Sequence, residues 1–150
     1  MGKVILPNDV LFDEVTQLLN EGREVVIMSK GRSMLPFIRG GIDQVKLRHP
    51  DELSVGDIVL AHFGGRYVLH RIVAIHGEEV TLMGDAVLKE TERGDWTEVV
   101  GVVVEIISPN NRHRKPGKAW LWRHTLFLRK YQMKIYRKWN KLTSKRNNTN

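Results

Sequence analysis

The chain has 150 residues, with 24 Lys+Arg against 17 Asp+Glu, a formal net charge of +7, and no cysteine. That length fits one domain with an appendage. Without cysteine there is neither a disulfide framework nor a thiolate nucleophile, and no run approaches the ~18 apolar residues of a spanning helix. Val4-Ile5-Leu6 is broken at Pro7 and is too short for a signal-peptide core. The expected location is therefore cytoplasmic, with peripheral attachment to a membrane left open. Charge is unevenly spread. All 17 acids lie at or before Glu105, and the 13 basic residues from Ile106 onward have no acid among them. This is the pattern of a domain followed by a basic arm.

Asn8 or Asp9 can cap a helix in which Val10, Leu11, Val15, Leu18 and Leu19 recur at helical spacing, with Gly22 as the stop. Its expected role is to cover one end of a sheet. Glu24 to Ser29 predicts a strand centred on Val25-Val26-Ile27. Gln44 to Arg48 alternates as a strand with one wet face. Leu53 to Asp57 predicts a turn and Ile58 to Ala61 the next strand. Gly64-Gly65 joins that strand to Tyr67–Ile75 as a hairpin. Gly77-Glu78 leads into Val80–Met83, and a last strand covers Val99 to Ile107. Leu88 to Thr97 is polar and charged, and reads as an exposed loop. Many short strands with glycine turns indicate a mainly β domain.

Three stretches carry chemistry: Gly31-Arg32-Ser33-Met34-Leu35-Pro36, Leu69-His70-Arg71 and Gly84-Asp85-Ala86. A serine, a histidine and an aspartate are the parts of an activated hydroxyl nucleophile. The serine attacks, the histidine takes its proton, and the carboxylate fixes the imidazole tautomer. Imidazole exchanges protons near neutrality without the desolvation that a lysine base needs. Gly31 lets the backbone approach a bound carbonyl, and Pro36 fixes the chain after the nucleophile.

With Ser54-Val55-Gly56-Asp57-Ile58-Val59 and His70-Arg71-Ile72-Val73, the Ser33-Met34-Leu35-Pro36 and Gly84-Asp85-Ala86 boxes resemble the signal peptidase I family and the related self-cleaving domains of LexA-type repressors. The order and spacing are similar from about Glu24 to Ile107. A histidine at the base position resembles the archaeal and endoplasmic-reticulum type. The resemblance implies a mainly β fold of coiled sheets and a serine endopeptidase whose peptide substrate binds extended beside the serine and histidine segments. It implies a catalytic triad of Ser33, His70 and Asp85, with Glu90 and Asp95 as weaker substitutes for the acid. Some signal peptidases add a hydroxyl from two residues before the nucleophile; here that position is Gly31, which leaves the oxyanion to backbone N–H groups. Arg71 is expected in a structural ion pair, and the Asp57 box is expected to be structural.

Other chemistries find little support. His49, His62, His70 and His76 show no metal-ligand spacing, and neither a Walker loop nor a dinucleotide fingerprint is present. No cofactor and no metal are expected. Arg112 to Lys118 reads as a basic linker. Trp120 to about Leu142 fits a helix, with Leu121, Leu128, Tyr131, Ile135, Trp139 and Leu142 on its apolar side and seven Lys or Arg around them. Such helices favour anionic membrane surfaces, or pack on their own domain or a partner. The expected organisation is thus a helical segment at 1–22, a catalytic β domain at 23–108 and a basic helical tail at 109–150. The alternative function is a non-catalytic regulatory protein of the same fold whose tail contacts nucleic acid.

Overall fold

Two-residue turns set the order of three neighbouring strands. Gly64 and Gly65 both have positive φ, 57° and 76°, the backbone that a tight hairpin needs. They turn β3 (Ile58–Phe63) into β4 (Arg66–His76), with Phe63 opposite Arg66. Gly77, at φ 60°, does the same between β4 and β5 (Glu79–Met83), where His76 faces Glu79. The structure, a computed structural model, describes residues 8–87, 89–119, 138 and 141. The tail helix expected from Trp120 to about Leu142 lies outside the described residues, apart from Lys138 and Lys141.

The remaining elements are α1 (Asn8–Asn20), β1 (Val25–Met28), β2 (Gln44–Arg48), β6 (Glu92–Asp95), β7 (Val99–Ile107) and β8 (His113–Arg114). All strand pairs are antiparallel, and the order across the sheet is β1-β2-β7-β3-β4-β5-β6, with β8 added to β7. The chain is mainly β, as expected, and the sheet curls into a half-barrel. β7 is the member that joins the β1–β2 pair to the β3–β6 meander. Among the described residues no helix is long and apolar enough to cross a membrane.

Because strand side chains alternate between faces, β3 feeds two cores. Ile58 and Leu60 join Val15 and Leu19 of α1, Ile27, Val45, Leu47, Val103 and Ile106 on one side. Val59, Ala61 and Phe63 join Ile72, Val80, Leu82 and Val99 on the other. Burial on both faces explains the uninterrupted apolar run of β3. The helix is therefore a wall of the main core as well as a cover. It ends where expected, with Gly22 at φ 82° and the Gly22 and Arg23 N–H groups donating to Leu19 and Leu18 carbonyls.

Two expectations need correction. The stretch read as an exposed loop contains a strand, β6. It is the outermost strand of its end of the sheet, and outer strands carry charge and glycine where inner ones carry valine. Its Gly94 is required, since a Cβ there would lie 2.5 Å from the Phe63 ring. A 3₁₀ turn follows at Trp96–Glu98, closed by a reciprocal capping box between Asp95 and Glu98. Second, the segment read as a linker after residue 108 belongs to the β domain. His113 and Arg114 extend the sheet, and Arg71 donates from Nη1 to the Gly117 carbonyl at 2.7 Å.

Candidate active site

Ser33 sits in a loop, residues 29–43, that closes on its own base. The Ser29 N–H donates to the Asp43 carbonyl (3.1 Å), the Gly41 N–H to the Ser29 carbonyl (2.8 Å), and Ser29 Oγ to the Asp43 carbonyl (2.7 Å). Met34 and Ile38 point into the main core, 4% and 1% exposed, and anchor the residues flanking the serine. The Phe37 and Ile38 N–H groups both donate to the Met34 carbonyl. Gly31 has φ 75°, and Gly40 passes so close that a Cβ on it would lie 1.9 Å from the Gly31 carbonyl oxygen. Both glycines are therefore dictated by the path of the loop. The Leu35–Pro36 peptide is cis.

The clasp of this loop is an ion pair between a buried acid, Asp43, and an arginine that reaches the surface, Arg39. The fully buried Asp43 carboxylate receives the Arg39 N–H and Nε on one oxygen and Nη2 on the other, at 2.8, 3.1 and 2.9 Å. Burial alone would raise its pKa. The Arg39 side-chain and backbone hydrogen bonds, with the charges of Arg39 and Arg114, more than offset burial and hold it below the ordinary carboxylate value.

Across from this loop, β4 presents His70. Its Nε2 lies 3.1 Å from Ser33 Oγ, and its Nδ1 lies 2.8 Å from Glu92 Oε2. A carboxylate only accepts hydrogen bonds, which assigns the proton to Nδ1 and leaves the Nε2 lone pair to accept the serine proton. The His70 side chain is 14% exposed and Glu92 27%, so the pair is half-shielded from solvent. Arg66 lies 3.5 Å from the other Glu92 oxygen but is 74% exposed, so its pull on the carboxylate is screened.

The carboxylate that meets His70 is thus Glu92, and the expectation that Asp85 stands there is corrected. The reason is strand alternation. His70 faces Val59 across β3 and shares its side with Val68 and Ile72, the side of the second core. Leu82 is opposite Ile72, and Glu92 is opposite Leu82, which puts the glutamate on the histidine's face. Arg71, one residue on, points to the other face. There it meets Asp85 in a bidentate pair, Nε to Oδ1 and Nη2 to Oδ2, each 2.8 Å, with both side chains 1% exposed. Arg71 also donates to the Gly56 carbonyl and stacks 5.2 Å over Phe37. It makes the structural ion pair expected of it. Of the two substitutes, Glu90 is exposed, and Asp95 accepts from Thr97 within the 3₁₀ turn.

The Gly84-Asp85-Ala86 box nonetheless positions Ser33. The Ala86 N–H donates to the Ser33 carbonyl at 2.8 Å, and a Cβ on Gly84 would lie 2.6 Å from that same oxygen. Among the described residues, the N–H groups of Ser33 and Met34 donate to no protein acceptor. Two surface hollows of about 340 and 220 Å³ lie elsewhere, lined by residues such as Arg48 and Asp51, and Ile75 and Trp96. An extended peptide needs an open edge more than a deep pocket, and the outer edge of β1, which ends five residues before Ser33, has no strand partner among the described residues. No protein-family model matches the chain, and no curated protein matches it.

Proposed function

We propose that the protein is a serine endopeptidase resembling signal peptidase, with Ser33 as nucleophile, His70 as general base and Glu92 as the carboxylate that orients it. The observation that carries this reading is the unbroken Ser33–His70–Glu92 hydrogen-bond chain at 3.1 and 2.8 Å. As Oγ attacks the scissile carbonyl carbon, Nε2 takes its proton, and the positive charge on the imidazole is balanced by Glu92. The carbonyl oxygen becomes an oxyanion, stabilised by the Ser33 and Met34 N–H groups. When the C–N bond breaks, the imidazolium gives its proton to the leaving amine and an ester on Ser33 remains. Water, deprotonated by the same nitrogen, then releases the acid and restores the serine.

The free edge of β1 suits a substrate that adds as an extended strand, with alternate side chains against Val26 and Met28, which are 45% and 38% exposed. The reading is tested with an alkyl fluorophosphonate, which phosphonylates activated serines. Intact mass and peptide mapping should place one adduct on Ser33, lost in Ser33→Ala and slowed in His70→Ala. Equal labelling of all three proteins, or an adduct elsewhere only, would overturn it.

A further inference from the structure

We propose that Arg114, in the segment that begins the basic tail, is a positioning residue for the nucleophile, so that residues 113–118 are a working part of the catalytic centre. The inference rests on the peptidase reading above. Its observation is a set of contacts that reach the two sides of the Ser33 loop from one short stretch of chain. Arg114 Nη2 donates to the Phe37 carbonyl at 2.6 Å and lies 3.6 Å from Asp43 Oδ2. Phe37 is in the turn that Met34 closes, and its ring lies under Arg71. Two guanidinium groups therefore grip one residue of the loop, Arg114 by its carbonyl and Arg71 by its ring.

The rest of the stretch is fastened at both ends. Upstream, β8 pairs with the end of β7 on the side that β3 has left, and His113 Nδ1 lies 2.9 Å from Glu105, which also holds Lys46 at 2.9 Å. Downstream, the Gly117 carbonyl accepts from Arg71, and Lys118 Nζ donates to Ser54 Oγ and lies 3.6 Å from Asp57. Gly56 has φ 101°, and a Cβ there would lie 2.7 Å from the Lys118 side chain. The Ser54–Asp57 turn is thus shaped to receive this strap. Arg114 is held between two fixed points, and its fork reaches the loop without dragging a flexible chain behind it. A charged donor on a backbone carbonyl four residues from the serine restrains where Oγ sits relative to His70.

The experiment uses the full-length chain with Arg114→Ala and Arg114→Lys. Fluorophosphonate labelling of Ser33 is resolved into the maximal rate and the concentration dependence, beside melting curves and hydrogen exchange of residues 30–43. The expected result for Arg114→Ala is a maximal rate lower by about 10–100-fold, the scale of a nucleophile misplaced by an ångström or less. The concentration dependence should stay within about two-fold, loop exchange should be faster, and Arg114→Lys, which keeps one donor, should recover part of the rate. Labelling of Arg114→Ala at the parent rate overturns the proposal. So does a rate loss that only tracks lowered melting temperature and that lysine does not restore. If the parent protein is not labelled at Ser33, the peptidase reading fails instead. Loop exchange then still decides the strap, since unchanged exchange in Arg114→Ala would remove its positioning role.

Discussion

Exchanging one carboxylate at a time should separate chemistry from architecture. Asp85→Asn removes the charge that balances Arg71, with both groups 1% exposed. At that depth no solvent screening softens the loss, and breaking a buried pair costs about 3–5 kcal/mol. Arg71 keeps the Gly56 and Gly117 carbonyls, which favours the lower end, about 3 kcal/mol. For a chain of this size that is a fall in Tm of roughly 6–12 °C. Glu92→Gln should do the opposite. Glu92 is on a surface strand at 27% exposure, so Tm should move by only a few degrees. Its amide can still accept from Nδ1 but no longer balances an imidazolium, and turnover should fall by about 10²–10⁴-fold. Calorimetry and Ser33 labelling on the two variants give four numbers. A Glu92→Gln protein of near-parent rate, beside an Asp85→Asn protein that is stable and inert, would refute the assignment of Glu92 and return Asp85 to the histidine.

Gly84→Ala places a methyl group 2.6 Å from the Ser33 carbonyl oxygen. Labelling should slow by about 10²-fold for a cost of about 1–3 kcal/mol in stability, read by denaturant titration. Acid should loosen the loop through Asp43. Its carboxyl is held below the ordinary value in the folded chain, so the stabilisation is full above the unfolded carboxyl value of about 4 and is lost as pH falls through the lower folded value. Tm measured from about pH 5 down to 2 should fall less steeply in Asp43→Asn than in the parent; equal slopes would assign the acid sensitivity to other carboxylates, such as Asp95 and Glu105.

The apolar strands and their glycine turns were legible because each element announces itself locally. β2 covers Gln44–Arg48, as alternation predicts, and the Gly64-Gly65 hairpin falls on its two residues. Ser33 and His70 were legible too, and the structure brings them to hydrogen-bond distance. Glu92 was not. Its strand is short, charged and interrupted by Gly94, and the polar stretch carries no apolar period to reveal it. The register alone misleads as well: counting back through the β4–β5 turn places Leu82 beside Val73, and only a bulge between Ile72 and Ala74 moves it beside Ile72, so that Glu92 opposite Leu82 comes to the histidine's face. Asp85 misled because Gly-Asp-Ala follows β5 directly, yet the side chain that meets it belongs to Arg71, one residue and one face away. The strap at 113–118 was hidden for a different reason. Its contacts are between a basic side chain and backbone carbonyls, such as the one from Arg114 to Phe37, and carbonyls have no letter in a sequence.

The position of β7 between the two halves of the sheet bears on how the protein is made. The nucleophile loop closes locally between β1 and β2, while the base and its acid come with the β3–β6 meander. Among the described strands only β7 pairs one half to the other, and β7 is translated after Ser33, His70 and Glu92. A nascent chain emerging from the ribosome N-terminus first therefore lacks the strand that pairs the two halves until residues 99–107 are available. The strap that grips the loop follows later still. On the proposed peptidase reading, the order of synthesis thus delays the meeting of serine, histidine and glutamate until the sheet that carries them can close.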